Sequence, residues 1–141
     1  APVVGGLCFG VADGALFPTL YDLRQDEGDE FPHMAQFASF PEDGLFRVIA
    51  TGAACLLIHR GVLEALREQY PEPYPWFQET AFGPEPVGED ITFCLRVGLL
   101  GAPVHVHTGI HVGHAKTQIL TTSMYRAQRE AINGPRNADA G

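Results

Sequence analysis

Apolar positions along the chain come in short runs separated by polar stretches rich in glycine and proline, and their spacing divides them into strands and helices. Val3 to Phe9 is apolar and rich in small residues, the pattern of an interior strand. Its glycines imply close approach of the backbone to a neighbour. Gly10 to Glu42 is polar and irregular, interrupted by Pro18, Pro32 and Pro41, with an acidic patch at Asp26-Glu27-Gly28-Asp29-Glu30. It reads as a long loop with one short hairpin using Leu20-Tyr21-Asp22-Leu23. A loop of that length inside a compact domain is usually functional or mobile. Leu45 to Ala50 reads as a strand broken by Thr51-Gly52, and Ala53 to Ile58 as a second, buried strand.

Helical spacing begins at Arg60. Val62, Leu63, Leu66 and Tyr70 share one face, and Pro71, Pro73 and Pro75 stop the helix. A loop with Trp76-Phe77 and a Gly/Pro segment leads to Glu89. From there Ile91 to Val97 predicts a helix ending near Gly101, a C-cap glycine. Pro103 to His107 alternates as a strand, with Val104 and Val106 on one side and His105 and His107 on the other. Ile110 to Val112 extends it after a turn at Gly109. Thr121 to Ile132 predicts a terminal helix. The expectation is an α/β fold, a mixed sheet with flanking helices: residues 1–132 form one domain and 133–141 a flexible tail.

A length of 141 residues with 45% hydrophobic content suffices for one domain with a core. The net charge of -8, from 17 acidic and 9 basic residues, argues against a nucleic-acid surface, which needs clustered Lys and Arg. Cys8, Cys55 and Cys94 are far apart among apolar neighbours. An odd count without C-x-x-C spacing predicts buried free thiols and a reducing, cytoplasmic compartment. No apolar run approaches the length of a membrane span, and no basic region precedes the first apolar stretch as in a signal peptide. Ala1 leads straight into an apolar strand without a start methionine, so an amino-terminal part of a larger protein is expected to precede it. If so, Val3 to Phe9 exposes apolar surface, and self-association or a covering second chain is expected.

The adjacent carboxylates Glu89-Asp90 carry the most chemistry. At a helix start they can cap the helix, or an ionised one, favoured by the helix dipole, can act as a general base. The residues alone leave these equal. The run His105 to His114 could hold a metal: the spacing of His105, His107, His111 and His114 is compatible with zinc but lacks a carboxylate partner. Alternating histidines on a strand more often mark a half-exposed face.

Four motifs in order resemble family 2 glycosyltransferases with the GT-A fold, of the short bacterial and phage type. They are Val3-Val4-Gly5-Gly6-Leu7-Cys8-Phe9; Ala50-Thr51-Gly52-Ala53-Ala54-Cys55-Leu56-Leu57-Ile58-His59-Arg60; Gly88-Glu89-Asp90-Ile91-Thr92-Phe93-Cys94-Leu95-Arg96 with Gly101-Ala102-Pro103-Val104; and Val112-Gly113-His114-Ala115-Lys116. Together they cover most of residues 2 to 116. The ordered set is more specific than any member. The family's Asp-x-Asp, which grips a divalent metal and the nucleotide diphosphate, lies before the strand with which this chain begins. Asp26 to Asp29 sits in the wrong place for it. The resemblance therefore implies the carboxy-terminal, acceptor-binding half of a Rossmann-like GT-A domain, inactive or very weak by itself.

What the resemblance implies for function is transfer of a sugar from a nucleotide-sugar donor to a carbohydrate or other acceptor hydroxyl, with inversion and with Mn²⁺ or Mg²⁺. Asp90 becomes the general base, and Glu89 supports the loop or touches the acceptor. His114 becomes a metal ligand and Lys116 meets a phosphate. Thr51-Gly52 shapes the pocket floor or is a plain bulge. Trp76-Phe77 is a sugar-stacking platform or a plug under the loop. Two other readings stand beside it: a zinc-dependent hydrolase built on the four histidines, and a non-catalytic carbohydrate-binding or structural module, such as a phage component, using Trp76 and the long loop.

Overall fold

A computed structural model describes residues 1–12, 14–70, 73–82, 85–115, 117 and 122–133. The first apolar run forms β1 (Val3–Leu7). It lies between β11 (Val104–His111), to which it is parallel, and β8 (Leu56–Ile58), to which it is antiparallel. β6 (Leu45–Val48) closes the far side of β11, giving a mixed four-stranded sheet in the order β6-β11-β1-β8. Two helices pack with it: α1 (Arg60–Gln69) and α2 (Glu89–Leu99). Val62 and Leu66 of α1 and Phe93, Cys94 and Val97 of α2 join Val3, Val48, Val104 and Val106 in one core. The architecture is mixed α/β.

Local chemistry explains the helix limits. His59 caps α1 by accepting a hydrogen bond from the Gly61 N–H at 3.1 Å. The Tyr70 N–H closes it onto the Leu66 carbonyl just before Pro71. α2 starts after Gly88 and ends through Gly101, whose φ of +75° suits a residue without Cβ. Val104, Val106 and Thr108 of β11 are buried while His105 and His107 are half-buried, as the alternation predicts. The terminal helix is α3 (Thr122–Asn133); Thr121 and the tail beyond Asn133 lie outside the described residues.

Several expectations are corrected. The first run is two strands, because β1 ends at Leu7 and β2 (Phe9–Ala12) leaves the sheet to pair with β3 (Ala15–Pro18) through a turn carrying Gly14 at φ +79°. The long loop therefore contains two hairpins: this one and β4 (Leu20–Arg24) with β5 (His33–Gln36), the one read from Leu20 to Leu23. Thr51 does not break its strand. It belongs to β7 (Ala50–Thr51), which pairs with β4. Residues 53–55 form a turn, leaving only Leu56–Ile58 as β8 and Cys55 exposed. The segment before Glu89 holds a further hairpin, β9 (Thr80–Phe82) with β10 (Glu85–Val87). β11 runs through Gly109 without a turn. Val3, Leu7 and Cys8 are buried by the chain's own strands, so they form no exposed apolar surface; Phe9, at 42% exposed, is the exception.

Phe93 is fully buried, and its ring stacks on Phe77 at 4.6 Å. Phe93→Ala is expected to cost about 3–5 kcal/mol in urea unfolding, from lost burial and a residual cavity. Phe77, 39% exposed, should cost clearly less when truncated. Equal losses at the two positions would mean that the core is not centred on α2.

Candidate functional site

Gly88 is the N-cap of α2, and Asp90 occupies the first turn. The Asp90 carboxylate folds back so that Oδ1 accepts a hydrogen bond from the Ile91 N–H at 2.8 Å. A Cβ at residue 88 would lie 3.2 Å from that oxygen, so the glycine makes room for the carboxylate. Among the described residues no hydrogen bond engages Oδ2. One oxygen thus satisfies an orphan helix donor while the other stays available. Glu89 is exposed on the same turn.

α2 packs on β7, and this brings Asp90 near groups from two other strands. Burial raises the pKa of the Tyr21 phenol on β4, and the Asp90 charge raises it further. Burial pushes the Cys94 thiol, one helical turn after Asp90, up to about 11, with the Asp90 charge adding to the shift. The Cys94 Sγ lies 3.7 Å from the Thr51 carbonyl oxygen. Thr51 is fully buried, and its hydroxyl has no hydrogen-bond partner. A carboxylate, a phenol, a thiol and an unpartnered hydroxyl therefore gather around the α2 N-terminus. Tyr21 has no sequence signal beyond its hairpin position, because only the pairing of β4 with β7 brings it here.

The other expected residues are dispersed. Gly52 packs against Thr19, whose Oγ1 would lie 3.2 Å from a Cβ there. Trp76 donates its indole N–H to the Leu63 carbonyl at 2.9 Å, and Phe77 stacks on Phe93. Both keep more than a third of their surface exposed. Arg96 holds their loop to α2: it donates to the Tyr74 and Pro75 carbonyls and to Gln78 Oε1 at 2.9, 3.3 and 2.9 Å, and lies over the Tyr70 ring at 4.5 Å. Lys116 lies outside the described residues.

The four histidines do not converge. His114 is exposed, with Nδ1 3.2 Å from the Phe9 carbonyl oxygen, and His107 Nδ1 lies 3.7 Å from Asp43 Oδ1. The His105 pKa is lowered, first by burial and then by the positive charges of the amino terminus and Arg47. Among the described residues, the one group of three metal-ligand side chains within 4.8 Å of each other is Asp26, Asp29 and His33, on the exposed β4–β5 turn. The acidic patch holding the two aspartates is visible in the sequence, whereas His33 joins them only through the β4–β5 hairpin.

A pocket of about 570 Å³ opens along α2, between its later turns and the β6 and β11 strands. Asp90 does not line it; Cys94, one turn on, does. This pocket and the carboxylate are neighbours, not one site. No helix among the described residues is long and apolar enough to cross a membrane. Comparison with known proteins finds no matching family model, curated protein or solved structure.

The thiols offer a direct check of this arrangement. Cys55 is exposed, whereas Cys8 and Cys94 are 1% and 0% exposed. A thiol-titrating disulfide reagent at pH 8 should modify one cysteine per chain rapidly and the other two only on unfolding. Fast modification of Cys94 would contradict its burial against Thr51.

Proposed function

We propose that this chain is the acceptor-binding part of a nucleotide-sugar glycosyltransferase of the GT-A type, with Asp90 as the general base of an inverting transfer. The observation that carries the reading is the half-engaged carboxylate: Oδ1 is tied to the Ile91 N–H and Oδ2 is free of hydrogen bonds among the described residues. The carboxylate sits in the first turn of α2, at the positive end of the helix dipole. In the transfer, Asp90 takes the proton of an acceptor hydroxyl. The hydroxyl oxygen forms a bond to the anomeric carbon as the bond from that carbon to the diphosphate breaks, and the diphosphate leaves with the electron pair. Glu89, exposed beside Asp90, is suited to touch the acceptor. Trp76 and Phe77 offer ring surface to a sugar.

The sheet also supports this reading. β8 pairs only with β1, and its far edge is free among the described residues, with Leu57 76% exposed. An unpaired, apolar edge of this kind accepts a further strand. A nucleotide-binding half would extend the sheet there. The metal does not fit this chain alone, since His114 belongs to no group of ligand side chains among the described residues. On this proposal the carboxylates for Mn²⁺ or Mg²⁺ come from that other half.

In the longest natural protein containing this sequence, assayed with Mn²⁺ and a panel of nucleotide sugars, Asp90→Asn is expected to lower kcat about 10²–10⁴-fold with donor KM little changed. Near-normal turnover by a folded variant would remove Asp90 as the base. If the parent protein turns over no nucleotide sugar but binds glycans through Trp76, the non-catalytic module is the better reading.

A further inference from the structure

Of the polar groups gathered at the α2 N-terminus, Thr51 and Cys94 are fully buried and out of reach of a substrate. Asp90 offers Oδ2. Beside it stands the Tyr21 phenol, half-buried on β4. Its hydroxyl makes no hydrogen bond with the described residues and is not among their buried, unpartnered atoms, so it is open to solvent. Strand geometry aims this side chain at α2. β4 is the middle strand of the sheet β5-β4-β7, and Tyr21 pairs with Gln36 on one side and Ala50 on the other. The Tyr21 carbonyl also accepts from the Ile49 N–H at 2.9 Å. Residues two apart on a strand share a face, so Tyr21 shares its face with Leu23. Leu23 lines the pocket together with Thr92, Leu95 and Leu99 of α2. That face of β4 therefore looks onto α2, and Tyr21 packs against the core to which Phe93 and Val97 belong. The effect of the Asp90 charge on the phenol agrees with this placement.

The two open groups are complementary. Burial and the Asp90 charge raise the phenol pKa, so Tyr21 keeps its proton and can donate it in a hydrogen bond. Asp90 Oδ2 can only accept. A simple alcohol engages one of the two and leaves the other unused. Two oxygens on neighbouring carbons of a sugar ring engage both. We propose that Tyr21 is an acceptor-binding residue that selects a vicinal diol: its hydroxyl donates to one oxygen while Asp90 takes the proton of the neighbouring hydroxyl. This inference rests on the transferase reading above and narrows its acceptor. Pairing on both sides of β4 fixes the Tyr21 backbone beforehand, so little order is lost when the acceptor arrives.

The test uses the longest natural protein containing this sequence. Acceptors are the methyl glycosides of glucose, galactose, mannose and N-acetylglucosamine, with their monodeoxy analogues. Tyr21→Phe, which keeps the ring, is expected to raise the acceptor KM about tenfold, with a far smaller change in donor KM. The analogue lacking the neighbouring hydroxyl should lose about tenfold with the wild-type protein and nothing further with the variant. An unchanged acceptor KM, equal changes in acceptor and donor KM, or donor turnover without transfer to any of the glycosides would each overturn the role of Tyr21 and leave the transferase reading standing. A wild-type protein that turns over no nucleotide sugar would overturn both. A second measurement needs no turnover: an NMR titration of tyrosine labelled with ¹³C at Cζ, with Tyr21 assigned as the resonance that Tyr21→Phe removes. In Asp90→Asn that resonance should titrate at lower pH, because the charge that raises its pKa is gone. An unmoved titration would put Tyr21 beyond the reach of Asp90 and overturn the proposal.

Discussion

Everything in this fold is arranged around a strand that has no room for side chains at its middle. A Cβ on Gly6 would lie 2.6 Å from Val112 Cγ2 and 3.1 Å from the Ile110 carbonyl oxygen; one on Gly5 would meet Leu56 and Thr51 at 3.2 and 3.3 Å. The first is closer than real Cβ atoms come, and the others would require their neighbours to give way in a packed interior. The glycines let β8, β11 and the layer carrying Thr51 close directly onto the β1 backbone. Val3 and Leu7, at the ends of β1, supply the apolar burial that the glycines cannot. The register follows: Gly5 pairs with Val106 on one side and Leu56 on the other.

α2 transmits that arrangement to the surface. Phe93, Cys94 and Val97 fix one side of the helix in the core. With that face pinned and the helix start set by Gly88, the position of Asp90 beside β4 and β7 is no longer free. The same helix walls the pocket with Leu95 and Leu99, and through Arg96 it holds the loop bearing Trp76 and Phe77. Three surface features of different chemistry thus depend on one buried helix face. Their relative positions are as rigid as that packing.

What could be read from the sequence was what local physics decides. The limits of α1 follow from helical spacing and from Pro71, the start of α2 from a glycine before two carboxylates, and the inside-outside alternation of β11 from Val104, Val106 and the intervening histidines. What escaped depends on pairing between distant segments. Among the described residues β2 and β3 pair as strands only with each other, so neither needs the apolar alternation that betrays a core strand. Cys55 has apolar neighbours in sequence but falls on a turn. Tyr21 joins Asp90 because β7 pairs with β4, and the histidines separate because His105 and His107 lie along the strand while His114 reaches back to Phe9. Of the candidate site, the carboxylate was legible; its neighbours were not.

Capping and catalysis, which the sequence leaves as alternatives for Asp90, are compatible in the folded chain. A carboxylate has two oxygens, and a helix N-terminus needs only one of them for the Ile91 N–H. That hydrogen bond fixes the side-chain rotamer, so the remaining oxygen is held in place and need not be ordered when a substrate arrives. Burial raises the pKa of both neighbouring groups, the Tyr21 phenol and the Cys94 thiol, and the Asp90 charge adds to it. With the pKa of both neighbours raised, neither the phenol nor the thiol is suited to take a proton, and a hydroxyl brought to Oδ2 meets the one carboxylate oxygen of the cluster that no hydrogen bond among the described residues engages.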